Sequence, residues 1–376
     1  MFSKSNKLSG FLEAKISEGL FPSAVYLVAQ RGKIKFADSL GYSVIEPEKI
    51  SASLKTIYDL ASLTKPLVVG LLCALLLERN EIRLEDRLAN YFSKFDTEDK
   101  RQITVRHLLT HTTGFRSWMP FYLLANSRDD ILRIIASEKL AAPFGTKVIY
   151  SDLNFIVLAN LLELIYEKPL EEIVKSEIIS PLELERTFFN PPKQFIRRIA
   201  ASEKGNQYER QVCLEQGYLI SQQQEAFFRN YVIWGEVHDG NCWFMGGVSG
   251  HAGLFSCIFE TMKIAQQFLP EETLILKPET CRLFRLDLTE ELNESRSISF
   301  QLAKTKNSVA YGVLSSGSFG HLGFTGTSLW IDPRRCAVFI LFTNRTHTKC
   351  LPFANINPVR RKFLGMSAKL LASSSG

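Results

Sequence analysis

The 376-residue sequence predicts an α+β fold in which the N- and C-terminal segments build one antiparallel sheet, flanked by helices, with a mostly helical lobe inserted between them. Two observations predict it: strand-like hairpins near both ends of the chain, and helical segments separated by glycine and proline in between. We expect residues 1–65 and 295–376 to form the sheet lobe and residues 66–294 the helical lobe. The two lobes would make one unit, with its site in the groove between them.

Each predicted hairpin consists of two apolar runs joined by turn residues. Near the N-terminus, residues 24–30 and 34–37 flank an Arg-Gly-Lys turn. Near the C-terminus, residues 324–331 and 336–342 flank an Asp-Pro-Arg turn. Because the strands of a hairpin are antiparallel, both ends of the chain can contribute to one antiparallel sheet.

The middle of the chain shows apolar residues at helical spacing, bounded by glycine and proline. The predicted helices cover residues 67–78, 105–110, 129–137, 154–166, 170–178 and 255–268. The first is apolar on all sides, which is typical of a helix buried in a core. Its longest apolar stretch, residues 67–77, is too short to span a bilayer.

Composition and charge exclude several classes of function. Apolar residues make up 45% of the chain, and the net charge of +6 comes from scattered basic residues without a basic stripe. The seven cysteines include no Cys-x-x-Cys pair, which disfavours a disulfide framework and a thiolate zinc site. The N-terminus has no apolar leader. We therefore expect a cytoplasmic protein that binds neither nucleic acid nor membrane.

The first chemically suggestive motif is Ser62-Leu63-Thr64-Lys65, the one Ser-x-x-Lys in the chain. A serine hydroxyl needs a neighbour that takes its proton before it can act as a nucleophile. Residues three apart share one face of a helix, so the amine of Lys65 can reach the hydroxyl of Ser62. In the alternative interpretation, Ser62 caps a helix and Lys65 lies on the surface.

The second motif is Tyr150-Ser151-Asp152, the one Tyr-x-Asp or Tyr-x-Asn in the chain. A phenol next to an ammonium group can become a phenolate and act as a general base. Asp152 could form a salt bridge with Lys65. Alternatively, Ser151 or Asp152 caps the following helix and Tyr150 is an ordinary packed aromatic residue.

The third motif is His321-Leu322-Gly323, which continues into a Phe-Thr-Gly-Thr sequence. A glycine-rich strand allows a substrate backbone to lie close along its edge. A backbone N–H of this segment could complete an oxyanion hole with that of Ser62. The alternative is a plain edge strand with glycines at its bends.

These three motifs, in this order, resemble the serine β-lactamase and penicillin-binding-protein-like superfamily, most closely its class C-like branch of β-lactamase-related esterases and D-peptidases. The resemblance covers roughly residues 23–347, and the segments 107–114, 246–253 and 343–345 support it. It implies a β-lactamase/transpeptidase-like fold and a serine hydrolase that forms an acyl-enzyme without a cofactor.

The resemblance also implies roles for individual residues. Ser62 corresponds to the acylated serine, Lys65 to the lysine that lowers its barrier, and Tyr150 to the tyrosine base. Asp152 stands where many members have asparagine, and His321 where the β-lactamases have lysine. The implied site therefore has catalytic Ser62, Lys65 and Tyr150, and substrate-binding or oxyanion residues Asp152, His321, Gly323 and Phe324.

The third motif departs from the Lys-Thr-Gly of the β-lactamases, whose lysine and hydroxyl help to hold the substrate carboxylate. An ordinary His321 is mostly neutral near pH ~7, and Leu322 has no hydroxyl. A rival register, Phe324-Thr325-Gly326, restores the threonine but has no basic residue, so we prefer His321. We therefore expect a small-molecule ester, amide or D-amino-acid peptide as substrate rather than a β-lactam.

Other functions remain as alternatives: a β-lactamase or DD-peptidase proper, or a non-catalytic homologue that binds a ligand in the same groove. The oligomeric state stays open. His107 and His111 would share a helix face as in zinc proteases, but Leu108 stands where those enzymes have glutamate. Residues 247–251 resemble a nucleophile elbow, except that His251 replaces its last glycine. For Arg345 we expect a structural salt bridge.

Overall fold

The computed structural model describes residues 3–348 and 351–373, which form a mixed α/β fold around a large antiparallel sheet. The seven strands of this sheet lie in the order β3-β2-β1-β9-β8-β7-β6. Their bounds are β1 Ser23–Gln30, β2 Lys33–Val44, β3 Ile50–Ser51, β6 Gln301–Leu302, β7 Phe319–Leu322, β8 Ser328–Asp332 and β9 Ala337–Thr343. A small second sheet pairs β4 Ile57–Asp59 with β5 Phe255–Cys257. The predicted fold class is confirmed, since β1 and β9 join the two ends of the chain.

Both predicted hairpins are present, with one correction. The first pairs β1 with β2 across Arg31, which adopts a positive φ of 49°, and Gly32. In the second, the predicted strand 324–331 begins only at Ser328. The preceding residues form a turn instead, because the N–H of Gly323 donates to the carbonyl of Thr327.

The six helices predicted in the middle of the chain are present with somewhat different bounds, but three further helices there and two near the ends of the described chain were not predicted. Their bounds are α1 Asn6–Ser17, α2 Leu71–Glu78, α3 Val105–Leu109, α4 Phe121–Leu124, α5 Asp130–Ser137, α6 Asp152–Tyr166, α7 Leu170–Val174, α8 Gln207–Glu215, α9 Gly240–Phe244, α10 Ile258–Gln266 and α11 Asn357–Ser373. The π-helical turns Lys65–Gly70 and Lys175–Ile179 adjoin α2 and α7. The helix predicted over 255–268 begins only at Ile258, because Phe255–Cys257 pairs with β4.

The sheet buries both of its faces. Alternate residues of β1 point to opposite sides, so Tyr26 packs with α1 and α11 while Leu27 faces the helical part of the chain. The core on this second side is continuous from the sheet into the helices. The division into lobes at residues 65 and 295 therefore stays a prediction.

The helical stretch Ala61–Glu78 runs through the centre of this core. Among residues 3–348 and 351–373 it is the one stretch long and apolar enough to cross a membrane. However, 83% of it is buried inside the protein, as in the core helix of a globular domain. Its N-terminal end carries Ser62 and Lys65, so the core anchors both side chains.

Candidate active site

Ser62 lies in a single 3-10 turn, Ala61–Leu63, directly after β4. The preceding Ala61 adopts a left-handed conformation, φ 47°, which is strained for a residue with a side chain. The carboxylate of Asp59 holds it there by accepting the N–H of Ala61 at 2.8 Å. No side chain caps this turn. The hydroxyl of Ser62 accepts a hydrogen bond from Lys65 instead, so the alternative of a capping serine is wrong.

Lys65 is fully buried, and its ammonium group has three oxygen partners. It donates to Ser62 Oγ at 3.0 Å and to the carbonyl of His251 at 3.0 Å, and lies 2.6 Å from Asp152 Oδ1. Burial by itself lowers the pKa of Lys65, but the charges and hydrogen bonds of Asp152 and Tyr150 outweigh it, so the pKa is raised. Lys65 is therefore protonated in the free protein. Because its side chain is buried, the alternative of a surface lysine is wrong.

Tyr150 lies just before α6, and its ring is enclosed by charged and aromatic groups. The Nζ of Lys65 is 5.1 Å from the ring centroid, and the guanidinium of Arg296 is 5.4 Å from it. The imidazoles of His111 and His321 lie 4.5 and 5.7 Å away, centroid to centroid. Tyr150 is thus held between two cations and two imidazoles.

His107 and His111 do not share a helix face, because α3 ends at Leu109 and His111 has a positive φ of 59°. The Nδ1 of His107 accepts the N–H of Thr104 and caps α3. The Nδ1 of His111 accepts the N–H of Ser151 at 3.0 Å, which positions the second motif. Burial and nearby cations hold the pKa of His111 well below its usual value, so its ring is neutral. The two histidines therefore serve different elements.

His321 is the penultimate residue of β7, and its ring lines the site beside Tyr150. Its Nδ1 lies 2.9 Å from the carbonyl of Leu322. A carbonyl can only accept, so Nδ1 carries the proton and Nε2 is left as an acceptor. Burial, Lys65 and Arg296 hold the pKa of His321 well below its usual value. His321 is therefore neutral and has no donor for a substrate carboxylate.

The turn after His321 is pinned against the residues that precede Ser62. Thr325 donates to the carbonyl of Asp59 at 2.7 Å, and Thr327 to that of Leu60 at 3.0 Å. A Cβ on Gly323 would lie 1.9 Å from Thr327 Oγ1, so only glycine fits there. The hydroxyl of Thr325 is thus used inside the protein. This geometry favours His321 over the rival register.

Two backbone donors face the same space. The N–H groups of Ser62 and Phe324 have no acceptor within the described part of the chain, and both residues line one cavity of about 620 Å³.

The expected salt bridge of Arg345 is wrong. Its guanidinium lies 4.8 Å above the Phe324 ring and donates to the Phe324 carbonyl at 2.7 Å. Arg345 thereby helps to fix Phe324 at the cavity wall.

The segment that resembles a nucleophile elbow supports Lys65 rather than forming a second site. Ser249 Oγ lies 2.7 Å from His251 Nδ1, and His251 Nε2 lies 2.9 Å from Asp239 Oδ1. This is a Ser-His-Asp order, but Ser249 is buried and does not line the cavity. The carbonyl of His251 accepts from Lys65. The chain of bonds therefore stabilises the ammonium group.

Asp152, Asp239 and His251 place one ligand atom each within 4.8 Å of one another, a spacing that could hold a metal ion. The ammonium of Lys65 already bonds to Asp152 at this point, and both ring nitrogens of His251 have partners. A cation would have to displace these contacts. The geometry therefore fits an ion pair better than a metal.

Sequence reasoning found the three motifs but not the roles of the residues that surround them. His111 and His251 stand in segments that the sequence analysis singled out, yet their positions beside Tyr150 and Lys65 were not expected. Asp239 and Arg296 stand in no recognised motif and come from segments that are distant along the chain.

Comparisons with known proteins agree with this geometry. A beta-lactamase family model matches residues 9–357. A relative from Salmonella typhimurium (strain LT2), named "Putative D-alanyl-D-alanine carboxypeptidase", is 30% identical over 391 aligned positions, which cover 94% of this chain and 85% of the relative.

Solved structures show the same fold at low sequence identity. EstCE1, described as a hydrolase with promiscuous acyltransferase activity, superposes with a TM-score of 0.73 at 20% identity, covering 96% of this chain and 97% of its own. A class C beta-lactamase superposes with a TM-score of 0.74 at 12% identity, covering 97% and 95%. Since the family model and the Salmonella relative span nearly the whole chain, the protein belongs to the beta-lactamase family, whose members are serine hydrolases.

Proposed function

We propose that this protein is a serine hydrolase that forms an acyl-enzyme on Ser62. The observation that carries the proposal is the 3.0 Å hydrogen bond from Lys65 to Ser62 Oγ at the wall of the cavity, with the same ammonium 5.1 Å from the centroid of the Tyr150 ring. The nucleophile, the proton carrier and the proposed base thus lie next to one another. Ser62 is partly accessible, as a nucleophile must be.

The protonation of Lys65 assigns the base. A charged lysine cannot accept the proton of Ser62 unless it passes its own proton on. Tyr150 is the neighbour that receives it, so the proton moves from Ser62 to the phenolate of Tyr150 by way of Lys65. As the Ser62 Oγ–carbon bond forms, the carbonyl oxygen becomes an oxyanion.

The two free N–H groups, of Ser62 and Phe324, stabilise that oxyanion. One such donor is typically worth roughly 100- to 1000-fold in rate. Tyr150 then returns its proton to the leaving group as the bond to that group breaks. In the second half-reaction Tyr150 accepts a proton from water, and the hydroxide formed adds to the acyl carbon. The bond between that carbon and Ser62 Oγ then breaks, the acid product leaves, and Ser62 regains its proton from Tyr150 by way of Lys65.

For the substrate we propose a carboxylic ester, a small amide or a D-amino-acid peptide in preference to a β-lactam. The neutral His321, with its only proton committed to Leu322, supports this preference because it offers no charge to a carboxylate. The name of the Salmonella relative, a putative D-alanyl-D-alanine carboxypeptidase, supports a D-amino-acid peptide among these. A β-lactamase or DD-peptidase proper is the second candidate.

Labelling with a fluorophosphonate tests the nucleophile. Wild-type protein should be labelled on Ser62, and Ser62→Ala should not be labelled at all. Ser249→Ala is the matched control, since this buried serine hydrogen-bonds with a histidine but does not line the cavity, and the variant should keep its label. Undiminished labelling of Ser62→Ala would contradict the assignment. Folded wild-type protein that reacts with no probe, ester or amide would be a ligand-binding homologue instead.

A substrate panel tests the preference. Rates on p-nitrophenyl acetate, D-amino-acid amides and a chromogenic cephalosporin should rank the cephalosporin last. Fast cephalosporin turnover would favour the second candidate.

We also propose the cytoplasm as the compartment, which fractionation of cells that express the native gene would test.

A further inference from the structure

Arg296 is an arginine without a complete set of partners beside the proposed base. It is 4% exposed, and one terminal nitrogen pairs with Glu294 Oε1 at 2.6 Å. Its Nε and Nη1 are buried and have no hydrogen-bond partner among the described residues. Buried donors without partners are costly, so their retention needs a reason.

Backbone hydrogen bonds hold the main chain at Arg296, and the ion pair with Glu294 holds its guanidinium. Its N–H donates to Thr289 Oγ1 at 2.7 Å, and its carbonyl accepts the N–H of Leu288 at 2.8 Å. The guanidinium then lies 5.4 Å from the centroid of the Tyr150 ring. A cation over an aromatic face is attracted by it, and still more by the ring's ionised form.

The other groups that face Tyr150 do not supply it with a permanent positive charge. The groups that face it are Lys65, Asp152, His111, His321, Arg296 and the Glu294 that pairs with Arg296. Both imidazoles are neutral because burial and nearby cations hold their pKa values far below the usual range. Lys65 is matched by Asp152 and takes part in proton transfer, whereas a guanidinium stays protonated throughout.

We infer that Arg296 is a positioning residue that supplies the permanent positive charge for ionisation of Tyr150, which the third motif, with a neutral His321, does not supply. The inference rests on the proposed function, because it assumes that Tyr150 is the base of an acyl-enzyme mechanism. Arg296 acts through Tyr150 and needs no contact with the substrate.

The test is the pH dependence of kcat/KM for p-nitrophenyl acetate, corrected for uncatalysed hydrolysis, in wild type, Arg296→Gln, Arg296→Lys and Glu294→Gln. Removing the charge in Arg296→Gln should move the acid limb upward by about one to two pH units. Where the displaced limb limits the reaction, the rate should fall roughly 10- to 100-fold, and above both limbs it should recover towards the wild-type value. Arg296→Lys keeps a positive charge, so the acid limb of its pH profile should stay close to that of wild type.

Glu294→Gln removes the counter-ion and keeps its shape, so it should move the limb in the opposite direction. A structural role for Arg296 predicts the same loss at every pH, and that result overturns the inference. If Arg296→Gln fails to fold, the test rests on Glu294→Gln. An acid limb that stays at the wild-type pH, or moves to higher pH, in Glu294→Gln overturns the inference. Wild-type protein without hydrolysis or labelling of Ser62 would refute the proposed function, and the inference with it.

Discussion

The ammonium of Lys65 lies 2.6 Å from the carboxylate of Asp152, and its side chain is completely buried. The carboxylate comes from the N-terminal end of α6, whereas Lys65 begins the π-helical turn before α2. A buried charge is tolerated when it is paired and hydrogen-bonded. This ion pair therefore connects the first motif with the second and helps to keep Lys65 protonated.

Asp152→Asn should destabilise the protein, because it leaves a buried charge without its counter-ion. Urea unfolding should show a loss of ~3–5 kcal/mol in the free energy of unfolding. The pKa of Lys65 is raised in the folded state. Its contribution is therefore complete below the unfolded value of 10.5 and is lost only as the pH rises through the higher folded value.

In Asp152→Asn, burial lowers the pKa of Lys65 without the carboxylate to oppose it, so the loss of stability should be greatest near pH 7 and should shrink as the pH rises and the amine loses its proton. The control is the double variant Asp152→Asn, Lys65→Met, in which no buried charge is left unpaired. It should recover part of the lost stability. If the loss of stability in the double variant equals the sum of the losses in the two single variants, Lys65 and Asp152 do not stabilise each other.

Tyr150→Phe should reduce kcat for ester hydrolysis by about 10²- to 10⁴-fold, because it removes the proposed base and keeps the ring that packs on His111. The melting temperature should change little. Tyr208→Phe is the matched control, since Tyr208 also lines the cavity and stacks on Phe324 at 5.1 Å. A Tyr150→Phe rate within tenfold of wild type would mean that another group is the base.

Gly323→Ala should reduce kcat/KM by roughly 100- to 1000-fold, the value of one oxyanion donor. The added Cβ would lie 1.9 Å from Thr327 Oγ1 and 2.6 Å from the carbonyl of Leu60, so the turn that carries the Phe324 N–H must move. Gly317→Ala is the control, because nothing lies within 4 Å of its added Cβ. Equal activity of both variants would contradict a role for this turn.

His321→Lys should shift the preference towards substrates with a free carboxylate, because it replaces a neutral ring by a charged donor. A charge-assisted hydrogen bond is worth about 1.5–3 kcal/mol, which corresponds to roughly 10- to 100-fold in the ratio of kcat/KM for a D-alanyl-D-alanine peptide to that for p-nitrophenyl acetate. The control is His321→Gln, which stays neutral and should leave the ratio unchanged. An unchanged ratio in His321→Lys would show that the third motif does not select the substrate.

The fold was largely predictable, because both strand pairing and core helices leave local patterns. The N-terminal hairpin appears where a continuous apolar run meets an Arg-Gly turn. The strand expected from residue 324 starts at Ser328, since hydrogen bonds of Gly323 and Thr327 close a turn that no local pattern announces. Helices α1 and α11 were not predicted from the sequence, although they cover the outer face of the sheet.

The sequence by itself determined the three motifs and their order, because Ser62 to Lys65, Tyr150 to Asp152 and His321 to Gly323 are short segments whose residue types already imply their chemistry. It also determined that the third motif lacks a lysine. Only the tertiary structure decided the charges: Asp152 and Tyr150 keep Lys65 protonated in spite of its burial, whereas burial and nearby cations keep His321 neutral. It also placed Arg296 over Tyr150. Protonation depends on what surrounds a group in space, and neighbours in space are set by folding rather than by spacing along the chain.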